Sequence, residues 1–126
     1  MNQTSNGIEV FLTFLRETEQ KYHMAEADEQ EANDATQDLL HFIELEDHDH
    51  EEYARLSEEL KTVRQRRRKA KDTMNETAPI LDWVDANRQV IKSLEKLLGD
   101  VRKAEKNTAG RIYTPRVRKK GGDGNA

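Results

Sequence analysis

The chain has 126 residues, of which 37% are charged and 34% belong to the hydrophobic set, and its mean hydropathy is −1.03. Such a polar composition is poorly suited to a large enzyme fold with a deep apolar pocket, whereas a slim helical assembly needs only a narrow apolar seam. Cysteine is absent, which excludes disulfides, thiolate metal sites and a cysteine nucleophile.

No apolar run approaches the roughly 20 residues of a membrane span. The first seven residues are polar and lack the basic-then-apolar order of a signal peptide. We therefore expect a cytoplasmic protein that meets no membrane.

The net charge of −4 conceals an uneven distribution. Residues 1–60 contain 3 basic and 17 acidic side chains, a net charge of −14, and residues 61–126 contain 18 basic and 8 acidic ones, a net charge of +10. Such a division can drive self-association, pairing of the two halves within one molecule, or binding of oppositely charged partners. The register described below favours pairing within the molecule.

Helix-forming residues dominate from position 8 to position 105, and the alternation typical of strands is absent. A first helix is predicted over residues 6–46, because its inward stripe recurs at alternating intervals of three and four residues, the heptad pattern. That stripe comprises Ile8, Phe11, Leu15, Thr18, Tyr22, Ala25, Glu29, Ala32, Thr36, Leu39 and Ile43.

A second helix is predicted over residues 49–77 from the same spacing. Its stripe comprises Tyr53, Leu56, Leu60, Val63, Arg67, Ala70, Met74 and Thr77.

Antiparallel folding of these two helices makes positions whose numbers add up to 95 or 96 face each other. Large residues then meet suitable partners, as Leu56 does with Leu39, and the one charged position of each stripe, Glu29 and Arg67, meets the opposite charge. A buried charge is costly unless it is paired, so this match supports the register. The sequence therefore predicts an all-α fold built on an antiparallel coiled-coil helical hairpin with its tip at residues 47–50.

Pro79 leaves two alternatives open for the chain that follows. The proline either bends one long helix or opens a third helix over residues 80–105, since proline favours the first turn of a helix and costs about 3 kcal/mol in its interior. Residues 73–76 resemble a capping box, which also favours a break at 75–79.

The helix signals end at Asn107, so we predict one helical domain over residues 1–106 and a disordered basic tail over 107–126.

The segment after Pro79 is the most apolar part of the chain, and the charged outer faces of the hairpin offer little to cover it. Either a compact three-helix bundle buries this seam, or a protein partner or a second copy of the chain does. The seam comprises Trp83, Val90, Ile91, Leu94, Leu97, Leu98 and Val101.

A basic run at residues 64–71 and the basic tail suggest contact with nucleic acid, because cations bind phosphates and an aromatic ring can stack on a base. A solvated or internally paired helix face explains the run as well. The candidate contacts are Lys61, Arg64, Arg68, Lys71, Arg111, Tyr113, Arg116, Arg118, Lys119 and Lys120.

The acidic first helix suggests a third function, in which its carboxylates imitate duplex phosphates and inhibit a defence or DNA-handling protein. An ordinary hydrated helix face explains the same composition. The candidate residues are Glu26, Asp28, Glu31, Asp34 and Asp38.

The sequence contains no GxSxG, P-loop, HExxH or Rossmann signature, so we predict no enzyme, no cofactor and no small-molecule substrate.

Residues 44–52 contain two histidines and six carboxylates, which are suitable ligands for zinc, nickel or manganese. A solvated hairpin tip does not hold ligands in a fixed geometry, however, and an acidic first helical turn explains the same residues. We therefore assign no metal site.

Four stretches, Glu29–Asp38, Arg64–Lys71, Trp83–Arg88 and Ser93–Gly99, resemble small helical accessory proteins of phages and prophages of Gram-positive bacteria. The resemblance covers residues 10–106 and is one of style and size. It implies an accessory role such as adapting host machinery, inhibiting a defence system or assisting assembly, and it assigns a role to no particular residue. Together with the seam, it favours a non-enzymatic protein-interaction module that binds and modulates a host or viral protein.

Overall fold

The computed structural model describes residues 3–110, which form three α-helices and no β-strand. Helix α1 spans Thr4–Leu45, α2 spans His50–Ala86 and α3 spans Arg88–Ala109. The all-α prediction is confirmed, and α1 and α2 form the predicted antiparallel hairpin. None of the helices within residues 3–110 has the length and apolar character needed to cross a membrane.

The core of the hairpin follows a seven-residue repeat, which is the spacing of a coiled-coil interface. The buried residues of α2 are Leu56, Ala70, Thr77 and Val84, and those of α1 include Leu12, Leu15, Thr18, Ala25 and Ala32. Leucine and valine fill the two ends of the hairpin, whereas alanines fill its middle. The middle therefore buries less apolar area than the ends, and apolar burial stabilises the ends most.

The tip is a four-residue connection, residues 46–49, held by capping contacts. The carboxylate of Asp49 accepts a hydrogen bond from the backbone N–H of Glu52 at 2.8 Å, and the Glu52 carboxylate accepts one from the backbone N–H of Asp49 at 3.3 Å. These reciprocal bonds form a capping box that starts α2. The His48 ring lies between the rings of Phe42 and Tyr53, with its Nε2 2.9 Å from the carbonyl oxygen of Phe42.

Of the two alternatives that the sequence leaves open at Pro79, the start of a new helix is wrong, because α2 continues through the proline. Pro79 and Asn75 are both exposed, so the carbonyl oxygen that loses its intrahelical partner is on the solvent side and can bind water. The capping-box resemblance at residues 73–76 is also wrong, since these residues are inside a helix. The predicted helices over 49–77 and 80–105 are replaced by 50–86 and 88–109.

The boundary between α2 and α3 lies at Asn87, eight residues after Pro79. The side-chain amide of Asn87 donates to the carbonyl oxygen of Trp83 at 2.8 Å, which is the acceptor that a helical backbone N–H at position 87 would use. The backbone N–H of Asn87 turns to Val84 instead, at 3.1 Å. A polar side chain that competes with the backbone thus ends α2 and starts α3.

The predicted pair of Glu29 and Arg67 is also wrong. The Nε of Arg67 donates to Oδ1 of Asn33 at 2.7 Å, and within residues 3–110 no carboxylate oxygen lies within 4 Å of the Arg67 guanidinium. Ala25 and Ala70 are both buried and line the same groove between the helices, which agrees with the predicted register. The long arginine side chain reaches one turn further toward the tip and finds an amide.

Helix α3 packs on the first half of α1 through polar contacts. These contacts join Arg88 to Glu19, Arg102 to Glu9, and Glu105 to Ser5. Their order shows that α3 runs antiparallel to α1. No residue of α3 is buried, so α1 covers the apolar face of α3 only in part.

Candidate functional site

The apolar stripe of α3 is the first candidate surface. Six of the seven predicted seam residues lie on this helix, and among them Val90 and Leu97 are 47% and 46% exposed. The half-buried members are Ile91, Leu94, Leu98 and Val101. Trp83 belongs to α2 instead, where its ring packs edge-on against Phe11 with the ring centroids 6.3 Å apart. An apolar helix face that is partly exposed in this way is typical of an interaction surface.

Glu105 attaches α3 to the start of α1. Its carboxylate accepts hydrogen bonds from the backbone N–H of Ser5 at 2.9 Å and from the Ser5 hydroxyl at 2.7 Å. The first N–H groups of a helix lack intrahelical acceptors, and the N-cap residue Gln3 gives no side-chain bond. The bonds from Ser5 stabilise the ionised form and lower the pKa of Glu105 below its ordinary value.

Sequence reasoning missed a second apolar surface, on the outer side of α1. Val10 and Phe14 are exposed and, with Gly7 and Thr13, line a shallow groove on that helix. The heptad pattern predicts a single apolar face on α1, the one that faces α2. The signal that could have revealed the second face is the interval of three and then four residues from Gly7 through Val10 to Phe14.

On one side of the hairpin, a basic side chain of α2 is neutralised by α1. Nη2 of Arg66 lies 2.8 Å from Oε1 of Glu31 and 3.7 Å from Oδ1 of Asp28, and these contacts raise the pKa of Arg66. Two of the five residues of the proposed phosphate-imitating face are therefore paired with a cation. No lysine or arginine nitrogen in the described part of the chain lies within 4 Å of the carboxylates of the other three, Glu26, Asp34 and Asp38.

On the other side of the hairpin, arginines of α2 line a groove that, in the part of the chain the structure describes, no carboxylate lines. This groove of about 560 Å³ lies between α1 and α2, and we call it the arginine groove. Its lining comprises Arg64, Arg67 and Arg68 of α2 with Asn33, Thr36, Gln37 and Leu40 of α1.

Lys61, Arg64, Arg68 and Lys71 are exposed. Across residues 3–110, no carboxylate oxygen lies within 4 Å of any of these four side chains. The other predicted nucleic-acid contacts lie outside the described residues. These are Arg111, Tyr113, Arg116, Arg118, Lys119 and Lys120.

One histidine of the tip, His48, packs between aromatic rings. The His48 side chain is 2% exposed, because Phe42 and Tyr53 enclose its ring. Nowhere among residues 3–110 do three histidine, aspartate or glutamate side chains come together in a way that could hold a metal ion.

No family model, no curated protein and no solved structure matches this chain. The fold therefore defines the class of protein only as an antiparallel helical hairpin with an amphipathic third helix. The features that bear on its function are the α3 stripe and the distribution of charge on the hairpin.

Proposed function

We propose that the protein is a non-enzymatic protein-interaction module that docks through the apolar face of α3. The observation that carries this proposal is that α3, a helix of 22 residues, has no buried residue although it has a continuous apolar stripe. Amphipathic helices gain most of their stability by packing that stripe against another element. Polar contacts hold α3 on α1, so the apolar side chains at positions 90 and 97 remain available to another chain.

The occupant that this face fits best is α3 of a second copy of the chain. The stripe reads almost the same in both directions, because antiparallel pairing about a two-fold axis between positions 95 and 96 places Val90 opposite Val101 and Leu94 opposite Leu97. A self-complementary patch of this kind is what a two-fold dimer requires. Ser93 and Ala104 beside the stripe are small and uncharged, which favours a close approach of the second helix.

A modulating role toward a host or viral protein stays a prediction, supported by the resemblance in sequence style. In such a role, the acidic surface of α1 would steer a basic partner toward the module. Electrostatic complementarity affects specificity and the rate of association more than affinity.

The test is a charge placed in the middle of the apolar face. Leu97→Glu should convert a dimer into a monomer, measured by gel filtration with light scattering over a range of protein concentrations. Leu97 is 46% exposed, so the helical content in circular dichroism should not change. Gln89→Glu is the matched control, because it adds the same charge at an exposed position of α3 outside the stripe and should leave the dimer intact.

Two outcomes would contradict the proposal at different levels. A wild type that is monomeric at every concentration, or a Leu97→Glu variant that still dimerises, removes the second copy as the occupant. A photo-cross-linking residue at position 97 that gives no protein adduct in a bacterial extract beyond those formed from position 89 then overturns the interaction module as a whole.

A further inference from the structure

Neighbouring arginines of one basic run are ion-paired on one side of the hairpin and not on the other, within the described residues. Arg66 faces carboxylates of α1 and pairs with them, whereas Arg64 and Arg68 have no carboxylate partner within 4 Å in the described chain. Helix α1 is acidic overall, yet every residue it contributes to the arginine groove is uncharged. Cations that line a groove with neutral walls keep their charge for a ligand.

The geometry points to a phosphate-binding site in the arginine groove, which takes the phosphate backbone of a nucleic-acid strand. Guanidinium groups present planar pairs of N–H donors that match two phosphate oxygens at once. Three such groups line this groove together with the side chain of Gln37, whose amide N–H groups are further donors of the kind that contact phosphates.

Arg67 is held in place at the floor of the groove. Its Nε donates to the amide oxygen of Asn33 at 2.7 Å, and the residue is half-buried between the helices. Because Asn33 is neutral, this bond orients the guanidinium without cancelling its charge. A side chain that is already ordered loses less conformational entropy when a ligand binds.

A row of cations extends the groove along α2 and favours a polymer of phosphates over a single nucleotide. Lys61, Arg64, Arg68 and Lys71 follow one another at intervals of three, four and three residues, so they share one face of the helix. At 1.5 Å per residue this row is about 15 Å long. Cations distributed over that length can neutralise several phosphates of one strand, and each contact releases counterions.

The experiment measures binding of a fluorescently labelled single-stranded oligodeoxynucleotide to the full chain by fluorescence anisotropy over a series of salt concentrations. Three to five neutralised phosphates predict a slope of about −2 to −3.5 in the plot of log affinity against log salt. The double variant Arg64→Gln/Arg68→Gln should lower the affinity at least about tenfold and flatten this slope, because two phosphate contacts are lost.

Arg66→Gln is the matched control for Arg68→Gln. Both variants remove one positive charge from the same run, but Arg66 lies on the ion-paired side of the hairpin. We expect Arg66→Gln to bind like the wild type and Arg68→Gln to bind more weakly. Circular dichroism of each variant checks that the helices are retained.

Several results would overturn the inference. One is the absence of salt-dependent binding, and another is an equal loss in the Arg66 and Arg68 variants, which would mean that only total charge matters. Unchanged binding by the double variant would assign the activity to the cations at residues 111–120. Polyglutamate that displaces the oligonucleotide as well as polyphosphate does, at equal charge, would assign the groove to an acidic protein.

Discussion

Polar side chains cap the starts of α1 and α2 and separate α2 from α3. Asp49 and Glu52 form the capping box of α2, Asn87 separates α2 from α3, and Glu105 caps the start of α1 from another helix. Each of these contacts satisfies a backbone group that has no helical partner. An N-cap such as that of Asp49 contributes about 1 kcal/mol, which is a sizeable fraction of the marginal stability of a small domain.

At the tip, Asp49→Ala should lower the free energy of unfolding by about 1 kcal/mol, because the N–H of Glu52 loses its acceptor. Urea denaturation followed by circular dichroism measures the change. Asp47→Ala is the control, because Asp47 is exposed and its substitution removes the same charge from the same connection. Equal effects of the two substitutions would show that charge at the tip matters and that the cap does not.

At the scale of the helix, packing of the heptad stripe against α1 stabilises α2 by more than Pro79 destabilises it. The buried residues Ala70, Thr77 and Val84 of α2 lie on both sides of Pro79 at intervals of seven, so a break at the proline would remove part of this stripe from the core. The proline is exposed, and water can satisfy the carbonyl group that it leaves unbonded. Packing against α1 therefore keeps the helix continuous.

Replacement of this proline should stabilise the protein. Pro79→Ala restores the N–H for the intrahelical bond to Asn75 and should raise the free energy of unfolding by about 1–3 kcal/mol, less any entropy that the unfolded chain regains. Thermal and urea denaturation measure the change, and Pro115→Ala, outside the described residues, controls for the chemical exchange itself. A Pro79→Ala protein of unchanged or lower stability would mean that the proline sets a bend that the hairpin needs.

At the scale of the whole molecule, the uneven charge of the two halves is compensated locally and on one side only. Arg66 pairs with α1 on one side, while Arg64 and Arg68 remain without carboxylates on the other within the described residues. Helix α3 is attached by ion pairs and by the Glu105 cap, with its apolar stripe left half open. The molecule therefore presents an apolar surface at one end and a cationic groove nearer the tip.

The attachment of α3 should depend on pH. Because the pKa of Glu105 is lowered from its ordinary value of 4.5, its ionised form stabilises the folded state above that pH, and this contribution disappears as the pH falls through the folded-state pKa. Between neutral pH and pH values below 4.5, the wild type should lose more stability than Glu105→Gln does in urea denaturation.

Glu95→Gln is the control for this measurement. Glu95 is an exposed carboxylate on the same helix with no ion-pair partner within 4 Å among the described residues, so its loss should leave the pH dependence of the wild type unchanged. Parallel pH profiles of the wild type and Glu105→Gln would show that the Ser5 contact does not hold α3 in solution.

Much of the candidate site was accessible from sequence, because it depends on periodicity. The spacing of Val90, Leu94, Leu97 and Val101 marks an apolar face whether or not another element covers it. The pairing state of each arginine was not accessible, since neighbours in a basic run point about 100° apart around the helix, and a small rotation decides which of them meets a carboxylate.

The sequence by itself determined the helical character of the chain, the hairpin and its register, because heptad spacing acts along one chain and each repeat adds to the same apolar stripe. Only the tertiary structure decided that α2 runs through Pro79 to Asn87, that Arg67 meets Asn33 in place of Glu29, and that Glu105 caps α1. The physical reason is that caps, kinks and single polar pairs differ by about 1–3 kcal/mol, and contacts distant in sequence settle such differences.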